Sequence, residues 1–226
     1  MPSVTTTMKS LFGLNVPTAL AEICHRDELA LLIYDMQVGI AGQIRTAETI
    51  IANVNRVLKA ARDARVRVFF TRHMSLPLAL MGTFQLRMAM AWQRVDEPSL
   101  VKPAFLRDSP AFQIVPELTP TASEAVFDKI TMSAFEGTPM NMALRDCGIR
   151  AVAIAGIALE VGIEPTVRHA IDLGFIPVVV ADACGVGNEE AGRRSLQSLA
   201  FEGNALITDT DAFVELIGRS GIEGRI

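Results

Sequence analysis

The feature of this sequence that most constrains its fold is a repeated alternation of short apolar runs with longer amphipathic segments. The run from Leu29 to Tyr34 is continuously apolar, as expected of a strand that is buried on both faces. Apolar residues then recur at helical spacing between Ile50 and Ala61, and Thr46 is placed to cap that helix. Strands that alternate with helices in this way pair in parallel through right-handed crossovers.

This alternation recurs along the chain and predicts about six strands. The predicted strands cover residues 29–34, 66–70, 125–127, 151–155, 176–181 and 205–207. A first predicted helix begins near residue 46. Four more cover residues 140–147, 164–173, 188–201 and 211–217, and Gly148 and Gly174 end two of them. The sequence therefore predicts an α/β fold with a doubly wound, mostly parallel six-stranded sheet and helices on both faces.

The chain is expected to divide into an N-terminal extension, residues 1–28, and a single domain, residues 29–226. Residues 72–120 interrupt the alternation with a methionine-rich segment, residues 76–92, followed by recurrent prolines. An insertion of this length is often functional, as a lid or an assembly surface, but a core helix with a surface loop explains it equally well. The sequence leaves both interpretations open.

Composition argues against several classes of function. Half of the residues are hydrophobic, the net charge is −4, no basic stripe is present and the apolar runs are only strand length, so we expect neither nucleic acid nor a membrane as a partner. The three cysteines form no metal-type spacing and leave one unpaired in any disulfide scheme, which favours a reducing compartment. With no secretory pattern in residues 1–7, we expect a cytoplasmic protein.

Polar residues follow the apolar runs at the points where the predicted strands end. Because ligands gather beyond the carboxyl ends of the strands in an open parallel sheet, these residues are the first candidates for a site. They are Asp35, Gln37, Arg72, His73, Lys129, the turn at residues 156–164, Asp182 and Asp209. Asp35 and Lys129 would keep each other charged if they met, although an ordinary loop or cap role for Asp35 is an equal alternative. No nucleotide-binding glycine motif and no Gly-x-Ser-x-Gly elbow is present.

Several segments resemble one family of hydrolases. Leu31–Gln37 resembles the Asp-x-Gln signature of the isochorismatase-like hydrolases, and Lys129–Phe135 resembles the segment that carries the family's lysine. Ala155–Ala170 is similar to the family's nucleophile turn and following helix, and Val180–Ala183 fits the next strand end. The resemblance spans residues 29–217 and implies a hydrolase of a small molecule that assembles as a homodimer or homotetramer.

The family that this chain resembles contains two chemistries, and the sequence departs from one of them. The family's amidases use an Asp–Lys–Cys triad whose cysteine begins the helix after the fourth strand, where the helix N-terminus lowers the pKa of a thiol. In this chain that position is Gly162. We interpret Cys24, Cys147 and Cys184 as structural thiols. The histidines lack the spacing of a nicotinamidase-type zinc site, so we expect no metal and no cofactor.

A glycine at this turn resembles the isochorismatases proper, which cleave a vinyl ether without a covalent intermediate. The resemblance then implies that Asp35 is the general acid, that Lys129 orients it and holds a substrate carboxylate or hydroxyl, and that Gly162 leaves room for the substrate. A second hypothesis is a C–N hydrolase, acting on an amide or imide, in which Asp35, Lys129 and Glu160 activate water. A third is a catalytically silent, ligand-binding family member.

The site that the resemblance implies also includes Glu160 and a set of substrate contacts. Glu160 stands where the family more often has a small polar residue or histidine, and it is either a general base for water or a neutralising charge. Glu164 and Pro165 are expected to start the following helix. The expected substrate-binding residues are Gln37, His73, Phe135, Ala158, Leu159 and Ile163, with Arg72 beside them.

Overall fold

The structure, a computed structural model, describes the backbone of residues 9–223 and the side chains of residues 9–219. The first eight residues of the expected N-terminal extension and the last three residues of the chain lie outside this range. The rest of the extension contains an antiparallel hairpin of β1 (Lys9–Leu11) and β2 (Leu14–Val16), followed by one turn of 3-10 helix at Leu20–Glu22.

Six parallel strands form the central sheet. They are β3 (Leu29–Tyr34), β4 (Arg67–His73), β5 (Ala125–Lys129), β6 (Ala151–Ile157), β7 (Ile176–Gly185) and β8 (Leu206–Thr208). Their spatial order is β5-β4-β3-β6-β7-β8, and every neighbouring pair is parallel. The predicted doubly wound, six-stranded sheet is confirmed.

Helices cover both faces of this sheet, as predicted. The helices on these faces are α2 (Ala47–Asp63), α4 (Met140–Asp146), α5 (Glu164–Asp172), α6 (Glu189–Glu202) and α7 (Thr210–Glu223). Two further helices, α1 (Val38–Ala41) and α3 (Thr83–Gln93), lie in the connections that follow β3 and β4. Helices α2 and α7 bury apolar side chains such as Val54 and Phe213 in the core on one face. Helices α4, α5 and α6 do the same on the other face, through Leu144, Val167 and Leu199. The apolar stripes recognised in the sequence are therefore the surfaces that hold the layers together.

All five strands after β3 extend further at their carboxyl ends than the apolar runs predict. Strand β4 continues to His73 and β5 to Lys129, because these two residues pair with each other across the ladder. Strand β7 continues to Gly185, since Cys184 and Gly185 pair with β6 beyond an irregularity in the register. Thr46 precedes α2, but its side chain makes no capping hydrogen bond, so the predicted cap is wrong. Its backbone, at φ −95° and ψ 15°, lies outside the extended region from which a capping side chain folds back.

The order of the strands creates a switch point next to β3. From β3 the chain proceeds outward to β4 and β5, and then returns to place β6 on the other side of β3. In an open α/β sheet the crevice at such a reversal, beyond the carboxyl ends of the strands, is where ligands bind. Tyr34 and Gly156, near the ends of β3 and β6, are paired across this point.

Candidate active site

A cavity of about 440 Å³ opens at this switch point. Its wall is built from the carboxyl ends of β3, β4 and β6, the turn after β6, the loop before α6 and the end of α3. Its lining residues include Tyr34, Asp35, His73, Ala158, Glu160 and Gly162. The volume lies within the range of sites for small molecules.

The acid and the lysine that the sequence singled out meet at the base of this cavity. Lys129 Nζ lies 2.6 Å from Asp35 Oδ2, and Thr71 Oγ1 donates to Asp35 Oδ1 over 2.7 Å. All three side chains are buried. Because both oxygens of Asp35 accept a hydrogen bond from the protein, the pattern is that of an ionised carboxylate.

Lys129 uses all three of its N–H donors within the protein. Its ammonium donates to Asp35 Oδ2, to the Tyr34 hydroxyl at 2.9 Å and to the Thr131 carbonyl at 3.1 Å. Burial lowers the pKa of Lys129, and the adjacent Asp35 carboxylate opposes that effect. Because no donor is left over, this arrangement contradicts the expectation that Lys129 also holds a substrate carboxylate.

Tyr34 is a site residue that sequence reasoning missed. Its hydroxyl donates to the Met132 carbonyl and accepts from Lys129, and the Lys129 ammonium lies 4.3 Å from the centre of its ring. Burial and the charge of Asp35 raise the pKa of Tyr34 well above its usual value, so the phenol is neutral. The sequence offered one signal, which is that the only tyrosine of the chain directly precedes Asp35.

Gly162 lines the cavity, but the direction in which a side chain would leave its Cα points at Tyr34. A Cβ atom at position 162 would lie 1.9 Å from the Tyr34 hydroxyl oxygen and 2.4 Å from its Cζ atom. The expectation that Gly162 leaves room for substrate is therefore corrected, because the phenol fills the volume that a side chain at this position would take. The glycine lies in a five-residue π-helical turn, Leu159–Ile163, and its carbonyl accepts from Thr166 Oγ1 over 2.7 Å.

The three cysteines lie away from the cavity wall. Cys24 and Cys184 are buried in the core, and burial raises the pKa of each thiol to about 12. Cys184 lies within β7, not after it as expected, and its thiol donates to the Ile154 carbonyl. Cys147 is exposed next to the end of α4. A thiol with a raised pKa is a poor nucleophile near neutral pH.

Glu160 joins the turn after β6 to the loop that precedes α6. Its Oε1 accepts the backbone N–H groups of Gly187 and Asn188, each over 2.7 Å. Its Oε2 is enclosed and has no hydrogen-bond partner among the described residues. One oxygen of Glu160 therefore has a structural role, whereas the other is buried without a partner among the described residues.

His73 lines the same cavity from the end of β4. Burial lowers the pKa of His73 to about 4, with Asp35 opposing this shift and Lys129 adding to it, so the ring is neutral at physiological pH. Trp92 and Phe105 contact it edge-on, with ring centroids 6.0 Å and 5.9 Å away. Of the expected substrate contacts, His73 and Ala158 are the two that reach this cavity.

The remaining expected substrate contacts are structural. Both ends of the Gln37 amide bond to backbone groups, including the N–H and carbonyl of His73. Phe135 stacks on Phe175, and Leu159 and Ile163 lie in the core beneath the sheet's second face. None of these four side chains lines the cavity, so we do not retain them as substrate contacts.

Three other residues that the sequence places at strand ends serve the scaffold. Arg72 forms an ion pair with Asp128 at 2.8 Å and stacks on the Phe112 ring. Asp182 accepts the backbone N–H and the hydroxyl of Thr210, and Asp209 accepts the N–H of Ala212, so both acids cap α7. Acids at strand ends are as useful for starting helices as for catalysis, which is why spacing did not separate these from Asp35.

The described residues form neither a metal centre nor a membrane-spanning helix. Among the described residues, no cluster of three or more His, Cys, Asp or Glu side chains is arranged to hold a metal ion. None of the helices in that part of the chain is long and apolar enough to cross a membrane.

A doubly wound sheet with a buried acid–lysine pair at its switch point defines a class of α/β enzyme that acts on small molecules. Residues 29–212 match the isochorismatase domain. The chain therefore belongs to the isochorismatase family and is a hydrolase.

Named relatives agree with this assignment. The chain is 29% identical over 189 residues to the ureidoacrylate amidohydrolase RutB of Serratia proteamaculans, covering 77% of this chain and 75% of the relative. It is 30% identical over 173 residues to the isochorismatase family protein YecD of Escherichia coli O157:H7, covering 75% of this chain and 86% of the relative. The solved structure of a cysteine hydrolase from Pseudomonas syringae pv. phaseolicola has the same fold, with a TM-score of 0.74, 22% identity and 87% and 95% of the two chains covered.

Proposed function

We propose that this protein hydrolyses a C–N bond in a small, uncharged amide or ureide, with water as the nucleophile and Asp35 as its general base. One observation carries the proposal. Asp35 is held as a carboxylate by Lys129 and Thr71, while the Tyr34 phenol occupies the space next to Gly162 where a nucleophilic side chain would project.

The reaction requires no covalent intermediate. The water oxygen bonds to the substrate carbonyl carbon as Asp35 takes one of the water protons. The C–N bond then breaks, and the proton passes from Asp35 to the departing nitrogen. The Lys129 ammonium stays charged throughout and fixes the orientation of the carboxylate. General base catalysis of this kind contributes a rate factor of about 10²–10⁴.

The charges around the cavity favour a substrate without a carboxylate at its reacting end. Asp35 and Glu160 are acidic, His73 is neutral, and the Lys129 ammonium is fully engaged. No arginine or lysine side chain lines this cavity among the described residues. A buried substrate carboxylate would therefore lack a partner, which is costly.

The names of the relatives support the choice of bond. RutB of Serratia proteamaculans and of Pseudomonas syringae are both named ureidoacrylate amidohydrolases, which are C–N hydrolases. At 29% and 30% identity they support the class of bond and leave the substrate open.

Vinyl ether hydrolysis is the second candidate, because the cavity wall carries no thiol and that reaction needs none. In vinyl ether hydrolysis Asp35 would be the general acid and would have to protonate a substrate carbon. The two donors on the Asp35 oxygens stabilise the ionised form, so this geometry favours a base over an acid.

The test is a substrate panel assayed with matched aspartate variants. Ammonia release from small neutral amides and ureides is compared with pyruvate release from isochorismate. We expect ammonia release by the wild type, a fall in kcat of about 10²–10⁴ for Asp35→Asn, and unchanged turnover for Asp209→Asn, whose side chain can still cap α7. Undiminished turnover by Asp35→Asn contradicts the proposal, and pyruvate release without ammonia release supports the second candidate.

A further inference from the structure

We propose that a second lobe of the cavity, beneath α3, binds the non-reacting end of the substrate through a neutral hydrogen-bonding group such as a carboxamide, a urea or a hydroxyl. Gln85 and His73 are its two recognition residues. The term "substrate" rests on the proposed function, whereas the lobe itself and its preference for a neutral group do not.

This second lobe adjoins the reactive cavity. It has a volume of about 110 Å³ and shares Gln43, His73, Trp92 and Phe105 with the cavity that contains Asp35. Because a water molecule occupies about 30 Å³ of liquid, the lobe is suited to a group of about four heavy atoms. A substrate of modest length could therefore place one end at Asp35 and the other beneath α3.

Gln85 is a buried amide without a partner. The residue is 5% exposed, and its side chain makes no hydrogen bond within the described part of the chain; its Oε1 is enclosed, whereas its amide nitrogen keeps some accessible surface. Buried polar side chains almost always have a partner, because leaving one unpaired costs about 1–3 kcal/mol. Gln85 is also the one fully buried residue of α3. Such a group at the wall of a cavity indicates a bound partner.

His73 supplies a second, independent indication. It is 6% exposed, and its ring makes no hydrogen bond to any described residue. A neutral imidazole offers one donor and one acceptor, and an amide also offers both. Two unpartnered polar side chains therefore converge on a lobe whose other walls include Met81 and Met88. This combination matches a neutral polar group flanked by apolar atoms.

The charges of the lobe also favour a neutral group. Neither Gln85 nor the neutral His73 can balance a buried carboxylate, and a buried charge without a partner is strongly unfavourable. Lys102 lines the same lobe but is an exposed residue, which makes it the one alternative anchor for an anion among the described residues of the wall. The experiment therefore includes an anionic probe.

Trp92 makes this lobe directly observable. It is the only tryptophan of the chain and lines both lobes, so intrinsic fluorescence reports their occupancy. The probes are acetamide, N-methylurea and acetate, titrated into wild type, Gln85→Leu and the matched control Gln197→Leu, which lies exposed on α6. We expect saturable binding of the two neutral probes to wild type and Gln197→Leu, and binding at least tenfold weaker to Gln85→Leu.

The melting temperature separates a recognition role from a structural one. Without a probe, Gln85→Leu should melt at or above the wild-type temperature, because an unpaired polar group is replaced by an apolar one of similar size. A fall of several degrees would show that Gln85 is held by trapped water as part of the core, and would overturn the proposal. Equal affinity of Gln85→Leu and wild type, or no saturable binding at all, would also overturn it.

Acetate provides the last comparison. Binding of acetate that equals that of acetamide and disappears in Lys102→Met would overturn the assignment of a neutral ligand. Neither fluorescence nor melting requires turnover, and Asp35→Asn should still bind acetamide. A failure of the lobe is therefore distinguishable from a failure of the proposed reaction.

Discussion

The backbone of Asp35 has a φ of 46°, a left-handed conformation that costs a non-glycine residue about 1–3 kcal/mol. Bonds from Thr71 and Lys129 to its carboxylate, and from its own N–H to the Thr71 carbonyl, hold it in that conformation. Strain of this kind persists where the surrounding structure determines it fully, and it concentrates at functional sites. The Asp35 carboxylate is therefore preorganised in the free protein.

Tyr34 and Gly162 form a coupled pair at the same scale. The phenol fixes Lys129, and the glycine makes space for the phenol. We expect Gly162→Ala to destabilise the protein by about 1–3 kcal/mol, as overpacking does. In a Tyr34→Val background, Gly162→Ala should lower the free energy of unfolding only slightly, because the ring that the new Cβ would meet is absent. Urea denaturation of the four proteins measures this coupling.

The control for that cycle is Gly218→Ala, since a Cβ at position 218 meets nothing within 4 Å. It should leave stability unchanged or slightly raised, because alanine favours a helix over glycine. A wild-type stability for Gly162→Ala, or an equal penalty in both backgrounds, would show that Tyr34 does not occupy this space.

His73 predicts a pH dependence of stability. Burial lowers the pKa of His73 to about 4 in the folded protein, against an ordinary value of 6.5, so the unfolded chain takes up a proton first as the pH falls. The contribution of His73 to the free energy of unfolding is therefore fully present above about pH 6.5 and is lost as the pH falls to 4. That contribution is about 3 kcal/mol. His73→Phe should flatten that part of the profile, as measured by urea denaturation between pH 7 and 4.

The exposed His25 provides the comparison for this effect. His25→Phe should keep the wild-type slope between pH 6.5 and 4. If His73→Phe and the wild type lose the same free energy over that interval, the imidazole is not buried as a neutral group.

At the scale of elements, Glu160 links the π-helical turn to the loop before α6, and its two oxygens have separable roles. Glu160→Ala should increase backbone hydrogen exchange at residues 186–190, because two N–H groups lose their acceptor. Glu160→Gln keeps an acceptor oxygen and should retain most of that protection. Hydrogen exchange by mass spectrometry measures both variants.

Turnover then decides what the free oxygen does. A loss of activity in Glu160→Gln with a protected loop assigns a direct role to the carboxylate, whereas full activity with a protected loop leaves Glu160 as a connection between elements. Exchange in Glu160→Ala that equals that of the wild type would contradict the connecting role itself.

The sequence predicts the elements better than their ends. Apolar runs mark where each strand is buried on both faces, but pairing alone extends β4, β5 and β7 through polar residues such as His73, Lys129 and Asp182. The site shows the same limit. Asp35 and Lys129 stand out as polar residues after apolar runs, whereas Tyr34 ends such a run and cannot be told from a core residue by pattern. Gln85 lies within the methionine-rich segment, where only burial in the folded chain distinguishes it.

At the scale of the whole molecule, the switch point explains why distant segments share one site. Residues that are separated by up to about 100 positions, such as Tyr34, Lys129 and Met132, meet because β3 lies at the centre of the sheet with β4 and β6 on its two sides. Assembly into a homodimer or homotetramer through residues 76–92 stays a prediction. Leu80, Phe84 and Trp92 are exposed in that segment.

Turnover by a cysteine-free protein tests the central claim most directly. The variant Cys24→Ala, Cys147→Ser, Cys184→Ala removes every thiol of the chain, and circular dichroism confirms that it folds. Attack by water activated at Asp35 predicts a kcat/KM within about threefold of wild type, because no thiol takes part. A folded variant that loses more than about 10³-fold, as enzymes do when their nucleophile is removed, would contradict the account.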